Sequence, residues 1–198
     1  MSITPDNKLK FTHFSNNGKN ENSIDLGTKN TENGNSIDNH LISAIFDFGL
    51  TKIDTNLFTP LYIATAKVKR YLKENTYVLS FDVKDETSLI SINLADFSFK
   101  KEQFPFEKFE KKSGSNSFLH QNILYQLTAN SEALSLSGID LKTKKTIETY
   151  RVNSSTEIDF KNTPLLQQSE NGKTRELKNA AKFLSKIDFE NVGISIYN

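Results

Sequence analysis

The stretch NTYVLSFDVKDETSLISINL, Asn75 to Leu94, decides how this chain is read. Tyr77, Leu79 and Phe81 alternate with polar or small residues in its first arm, and Ile90, Ile92 and Leu94 alternate in its second. A repeat of two residues is the signature of a strand with one face turned inward. The polar run Asp82 to Ser88, DVKDETS, reads as the connection, so the stretch is expected to be a β-hairpin. It opens on an asparagine and closes, 19 positions later, on the leucine of an Ile-Asn-Leu triplet.

The same phrase occurs twice more, as NKLKFTHFSNNGKNENSIDL from Asn7 to Leu26 and as NILYQLTANSEALSLSGIDL from Asn122 to Leu141. Leu9 and Phe11 match Tyr77 and Leu79 in the first arm, while Ile24-Asp25-Leu26 and Ile139-Asp140-Leu141 match Ile92-Asn93-Leu94 in the second. In the last copy Ile123, Tyr125 and Leu127 place the alternation one position later, and Gly138 marks a phase change expected to be a β-bulge. A further strand is expected after the middle copy, Phe99 to Phe106, and after the last, Thr146 to Val152. The repeating unit is therefore strand, loop, strand, turn, strand. Its copies begin 68 and then 47 residues apart, and the shorter spacing suits one blade of a propeller. A lone meander cannot bury its apolar face, so neighbours must stack on it.

The expected fold class is mainly β: antiparallel meanders forming partial propeller-like repeats, with one C-terminal amphipathic helix. Residues 1–160 make up the meander region and residues 161–198 a C-terminal loop, helix and terminal strand. Within the first region, Ser15 to Asn39 is crowded with Asn, Gly, Lys and Glu and reads as a flexible loop broken by one short strand at Ser23 to Leu26. Calcium ligation there would need an alternating D-x-[DN]-x-[DN]-G ladder, which the segment lacks. In LISAIFDFGL, Leu41 to Leu50, alternate apolar residues predict a strand, and Leu61 to Val68 predicts another after Thr59-Pro60. In the tail, Leu177, Ala180, Ala181, Leu184 and Ile187 share one helical face, giving a helix over 174–187 with Thr174 as its N-cap. Gly193 to Tyr197 alternates again as a last strand.

A formal charge of +1 supplies no field that would gather nucleic acid or an anionic membrane. No cysteine is present, so disulfides, thiolate metal sites and thiol nucleophiles are excluded. No window approaches the ~18 consecutive apolar residues of a membrane span. His13, His40 and His120 have no metal-ligand spacing, and there is no nucleophile elbow, P-loop or dinucleotide fingerprint. No metal or cofactor is expected. Asp47, between Phe46 and Phe48, is the carboxylate placed best for an apolar environment, although facing water is the simpler expectation. FSFKKEQFPFEKFEKK, Phe97 to Lys112, interleaves aromatic rings with lysines. Exposed, Phe97, Phe99, Phe104, Phe106 and Phe109 would stack against sugar rings or bases, with lysine supplying charge; turned inward, they would plug the core, with Pro105 ending the strand or marking a sheet edge.

LSLSGIDLKTKKTIETYRV, Leu134 to Val152, resembles a hairpin of the β-propeller repeat proteins through Asp140, Leu141, Lys142 and Thr143. It departs from their pattern at Lys144, where many blades carry glycine, and in having no tryptophan. The Asn, Lys, Ile and Phe usage, with the tail IDFKNTPLLQQ and RELKNAAKFLSKI, is similar to uncharacterised repeat proteins of flavobacteria and their relatives. The resemblance implies architecture rather than activity, and the expected function is a non-catalytic scaffold or binding segment of a larger exported bacterial protein, with a protein, a glycan or the remainder of its own chain as partner. The compartment follows from that: extracytoplasmic as part of an exported protein, cytoplasmic if the chain is complete. A carbohydrate hydrolase built on distant carboxylates and a self-contained cytosolic partner-binding domain are the alternatives.

Overall fold

The structure, a computed structural model, describes residues 2–4, 8–15, 18–25, 39–159, 161–187 and 191–196. It is mainly β with antiparallel sheets. Strands β1 (Ser2–Ile3), β2 (Lys8–Ser15) and β3 (Gly18–Asp25) form a three-stranded sheet in chain order. Helix α1 (Asn39–Phe48), strand β4 (Thr51–Lys52) and the single-turn helix α2 (Leu61–Ala64) follow. Strands β5 (Val68–Lys73), β6 (Thr76–Val83), β7 (Glu86–Asn93) and β8 (Phe99–Pro105) then extend a five-stranded sheet that begins with β4. Strands β9 (Gly114–His120), β10 (Ile123–Ala129), β11 (Ala133–Asp140) and β12 (Thr146–Asn153) make a four-stranded sheet. A ribbon of β13 (Leu166–Gln168) and β14 (Thr174–Glu176) precedes helix α3 (Ala180–Leu184). The chain divides into two compact units, Met1–Asp54 with Lys67–Phe104, and Thr55–Ala66 with Pro105–Asn198.

The three look-alike phrases are three hairpins in one register. Lys8 pairs with Asp25, Thr76 with Asn93, and Ile123 with Asp140, so Leu9–Ile24, Tyr77–Ile92 and Leu124–Ile139 are equivalent pairs. Asn7 and Leu26 lie outside the described residues. The expected slip in the last copy does not occur. Its alternating buried positions on β10 are Leu124, Gln126 and Thr128, and the two polar residues among them disguise the phase. The register shift at Gly138/Ile139 is present, and it leaves Ile147 of β12 without a counterpart on β11.

The turn geometry explains the triplet. In Ile92-Asn93-Leu94, the Asn93 side chain accepts the Ala95 N–H at 2.9 Å, and the Leu94 N–H donates to the Asn75 carbonyl at 2.9 Å. In the last copy, Asp140 accepts the N–H groups of Lys142 and Thr143 at 2.7 and 2.8 Å, and the Leu141 N–H donates to the Asn122 carbonyl at 3.0 Å. A short polar side chain is needed in the middle because it bonds the backbone two residues on. Phe97 and Lys144 end the two turns in the left-handed region, at φ 59° and 60°, and each donates its N–H to the carbonyl of the triplet's central residue at 2.8 Å. Glu74 and Gln121 match likewise at φ 52° and 53°.

Several expected boundaries change. Leu41 to Phe48 lies in helix α1, where Leu41 to Leu50 was expected to be a strand. Leu41, Ile42 and Ala44 are buried and Ile45 packs on the same core, a helical stripe, whereas Phe46 and Phe48 are exposed. Gly49 stops the helix at φ 73°, its N–H bonded to the Ile45 carbonyl at 2.9 Å. The strand expected at Leu61 to Val68 is α2 followed by the start of β5; Leu61 and Tyr62 are exposed and only Ala64 of the turn is buried. The loop expected over 15–39 carries the whole of β3, and α1 begins at Asn39; residues 26–38 lie outside the described residues. The C-terminal helix covers Ala180–Leu184 rather than 174–187. Thr174 belongs to β14, which Asn171-Gly172 turns back onto β13, and Asn179 is the N-cap, accepting the Lys182 N–H at 2.9 Å. Residues 192–196 are not a strand. Gly193 instead lies so close to Thr65 that a Cβ there would meet the Thr65 backbone nitrogen at 2.9 Å.

The core of the first unit joins Leu9, Phe11 and Ile24 of the three-stranded sheet, the buried face of α1, and Val68, Leu79, Phe81, Ile90 and Ile92 of the five-stranded sheet. The opposite face of β5–β7 is also buried: Tyr71, Val78 and Leu89 surround Lys69 and Asp82. Lys69 Nζ meets Asp82 Oδ2 at 2.9 Å with both side chains fully buried, and Thr87 donates to Asp82 Oδ1 at 2.9 Å. The run expected as a polar connection, Asp82 to Ser88, is therefore strand except at its centre, because Lys69 neutralises its first residue. In the second unit Asn116, 47 positions after Lys69, is also fully buried, its amide donating to the carbonyls of Thr65 and Ala66 at 3.2 and 3.3 Å. A smaller cluster packs α3, through Ala180 and Leu184, on Val152 and Ile158.

Removing one partner of a buried ion pair leaves a charge without compensation. Lys69→Met and Asp82→Asn are each expected to cost about 3–5 kcal/mol in urea denaturation, and the double variant Lys69→Met/Asp82→Asn less than the sum of the two.

Candidate functional site

The open end of the first unit carries the turn between β5 and β6 and the turn between β7 and β8. Phe11 on β2 faces them, since it lies opposite Asn22 of β3 on the core side of that sheet. Phe11 stacks on Tyr77 with centroids 6.0 Å apart and planes at 26°, and meets Phe97 at 5.5 Å and 52°. The Arg70 guanidinium lies 5.2 Å from the Tyr77 centroid and fixes that ring from β5.

Where these rings reach the surface they line a depression of about 370 Å³. Asn75 and Leu94, the ends of the repeated phrase, form part of its wall, and Thr12 and Asn22 complete it from the facing sheet. The residues of the lining thus bring aromatic rings, the two asparagines Asn22 and Asn75, and the phenol of Tyr77. Among the described residues neither a carboxylate nor an imidazole contributes to it. Phe97 holds a left-handed backbone that bulky residues adopt at a cost, and its packing on Phe11 offsets that strain. The equivalent positions of the last copy carry Leu124 and Lys144 in place of Tyr77 and Phe97, so the shared turn geometry does not itself demand rings there.

Of the five phenylalanines expected as a platform, only Phe97 lines this depression. Phe99 packs against the first unit's core, Phe104 and Phe106 are buried at 7% and 6% exposure, and Phe109 is half-buried. They serve the core because Pro105 ends β8 and the connection after it is clamped: Glu107 accepts the Ser135 hydroxyl at 2.7 Å and Arg151 Nε at 2.9 Å. Asp47 lies exposed on α1. His40 is half-buried and His120 buried, and no three His, Asp or Glu side chains gather as a metal site among the described residues. No helix among them is long and apolar enough to cross a membrane. Phe11, Asn22 and Tyr77 escaped the sequence reading because each sits in a different element. Asn75 and Leu94 were flagged only as the ends of a repeat.

The hydrogen bond from Arg151 holds the Glu107 carboxyl below its usual range; partial burial opposes this, and the Ser135 hydroxyl adds to it. Its contribution to stability is complete above the unfolded carboxyl value of about 4.3 and fades as pH falls through the lower folded value. Between those two values, thermal melts should show the parent chain losing stability with falling pH more steeply than Arg151→Gln, whereas near neutrality the two pH slopes are equal and the parent is the more stable. In the depression, Asn75→Ala should change unfolding free energy by no more than about 0.5 kcal/mol, since its side chain is exposed and its bonded carbonyl remains. Phe11→Ala should cost about 3–5 kcal/mol.

Comparison of the chain with family models, curated proteins and solved structures finds no match.

Proposed function

We propose that this chain is a non-catalytic binding module on a scaffold of propeller-like repeats, and that it binds through the depression between Phe11, Tyr77 and Phe97. The observation that carries the reading is the chemistry of the lining: rings and asparagines converge in a concavity of about 370 Å³, and among the described residues no acid or base is part of that lining. That volume lies within the range of small-ligand pockets. Connections gathered at one end of rigid strands are where binding residues are commonly presented, and here two turns of one meander meet a neighbouring hairpin. The meander β5–β8 supplies the support, and β9–β12 repeats its strands at an offset of 47 residues with matched turns. Four strands per unit and nearest-neighbour stacking are what a blade-like repeat requires.

The test is a nuclear magnetic resonance screen of a fragment library against the labelled chain. Amide shifts confined to Asn22, Asn75, Tyr77 and Phe97, weakened in Asn75→Ala, with every fragment recovered unchanged, are expected. Hits that avoid these residues, or turnover of a bound fragment, would contradict the reading.

A further inference from the structure

The ligand class can be argued from the same depression, an inference that rests on its being a binding site. We infer that it takes a neutral saccharide, one pyranose ring lying against Phe97 and Tyr77 with its hydroxyls on the carboxamides.

Three features select this class. A carboxamide both donates and accepts, as a sugar hydroxyl does, and Asn22 and Asn75 present two of them on opposite sides of the concavity, one from the three-stranded sheet and one from the β5–β6 turn. Apolar area sits between them on Phe97, Tyr77 and Leu94, matching the C–H face of a pyranose. Among the described residues no lysine, arginine, aspartate or glutamate is in the lining, and the Arg70 guanidinium behind it is engaged on the Tyr77 ring, which favours a neutral ligand over a phosphate, a uronate or an ammonium group. A nucleobase fits less well. It wants an open slot between parallel rings, whereas Phe11 and Tyr77 already stack on each other and Phe97 is tilted 52° from Phe11. Tyr77 is further held by Arg70, so the rings are ordered before a ligand arrives.

The position within the repeat points the same way. Asn75 and Asn122 have the same backbone duty, accepting the N–H of the leucine 19 residues on, which leaves the exposed Asn75 side chain outside that task. What distinguishes the middle copy is that Tyr77 and Phe97 stand beside it where the last copy has Leu124 and Lys144. The last copy therefore acts as an internal control, with the same turn and no aromatic partners.

The experiment titrates the full chain with methyl glucoside, methyl galactoside, methyl mannoside, cellobiose and maltose, using methyl glucuronide and adenosine as contrasts, followed by amide shifts. At least one neutral sugar should bind in the millimolar range and move the amides of Asn22, Asn75 and Phe97, leaving Asn122 and Lys144 still. Asn75→Ala and Asn22→Ala should each weaken it about tenfold with unchanged melting temperature. Methyl glucuronide and adenosine should bind more weakly. If no neutral sugar shifts these amides at about 50 mM while a library fragment does, the saccharide assignment falls and the binding reading stands. If nothing of any class binds there, both fall. Tighter binding of adenosine or the glucuronide overturns the assignment in favour of that class.

Discussion

A single backbone contact sets the form of this chain: the amide of a leucine reaching back across 19 residues to the carbonyl of an asparagine. Leu94 does so to Asn75 and Leu141 to Asn122. Each contact ties the turn before the central hairpin to the turn after it, so the strands of a meander share one end and one register. The Asn or Asp before the leucine folds the chain through its side chain, and the left-handed residue three positions after the leucine turns it into the next strand. Once these turns are fixed, the pleat decides which side chains face which way.

Side-chain content is free to differ between copies on that common frame, and it does. Lys69 and Asn116 occupy equivalent buried positions, yet one neutralises a carboxylate and the other satisfies two main-chain carbonyls. Leu79 and Phe81 fill an apolar core, whereas Gln126 and Thr128 put polar groups at the same places. Buried polar groups demand partners, so each copy commits to its own surroundings. The depression follows the same logic: the turn is common, and only the first unit combines it with a facing hairpin that contributes Phe11 and Asn22.

Much of this was legible where local chemistry and pattern agree. The hairpin of Tyr77, Leu79, Phe81, Ile90 and Ile92 follows from alternation, and the ends of the phrase mark a true hydrogen bond. Alternation misled at Leu41 to Leu50, because Ile42, Ala44 and Phe46 satisfy a period of two while Leu41, Ile42, Ala44 and Ile45 satisfy a helical one; Gly49 was the signal that favoured the helix. Asp82 to Ser88 looked like a loop because a buried aspartate makes sense only with Lys69, which lies 13 residues away on another strand. The site was nearly invisible for a related reason. Phe97 stood out in an aromatic-rich run, but its partners come from β2, β3 and β6, and one sequence contains no sign of which distant strands will face each other.

Amide hydrogen exchange at Leu94 and Leu141 tests the shared-turn account most directly. Both amides should exchange slowly, with similar protection, as should those of Phe97 and Lys144 within the same turns. Fast exchange at either leucine, or protection in one copy without the other, would show that the two meanders are not closed by the same contact and would contradict the account.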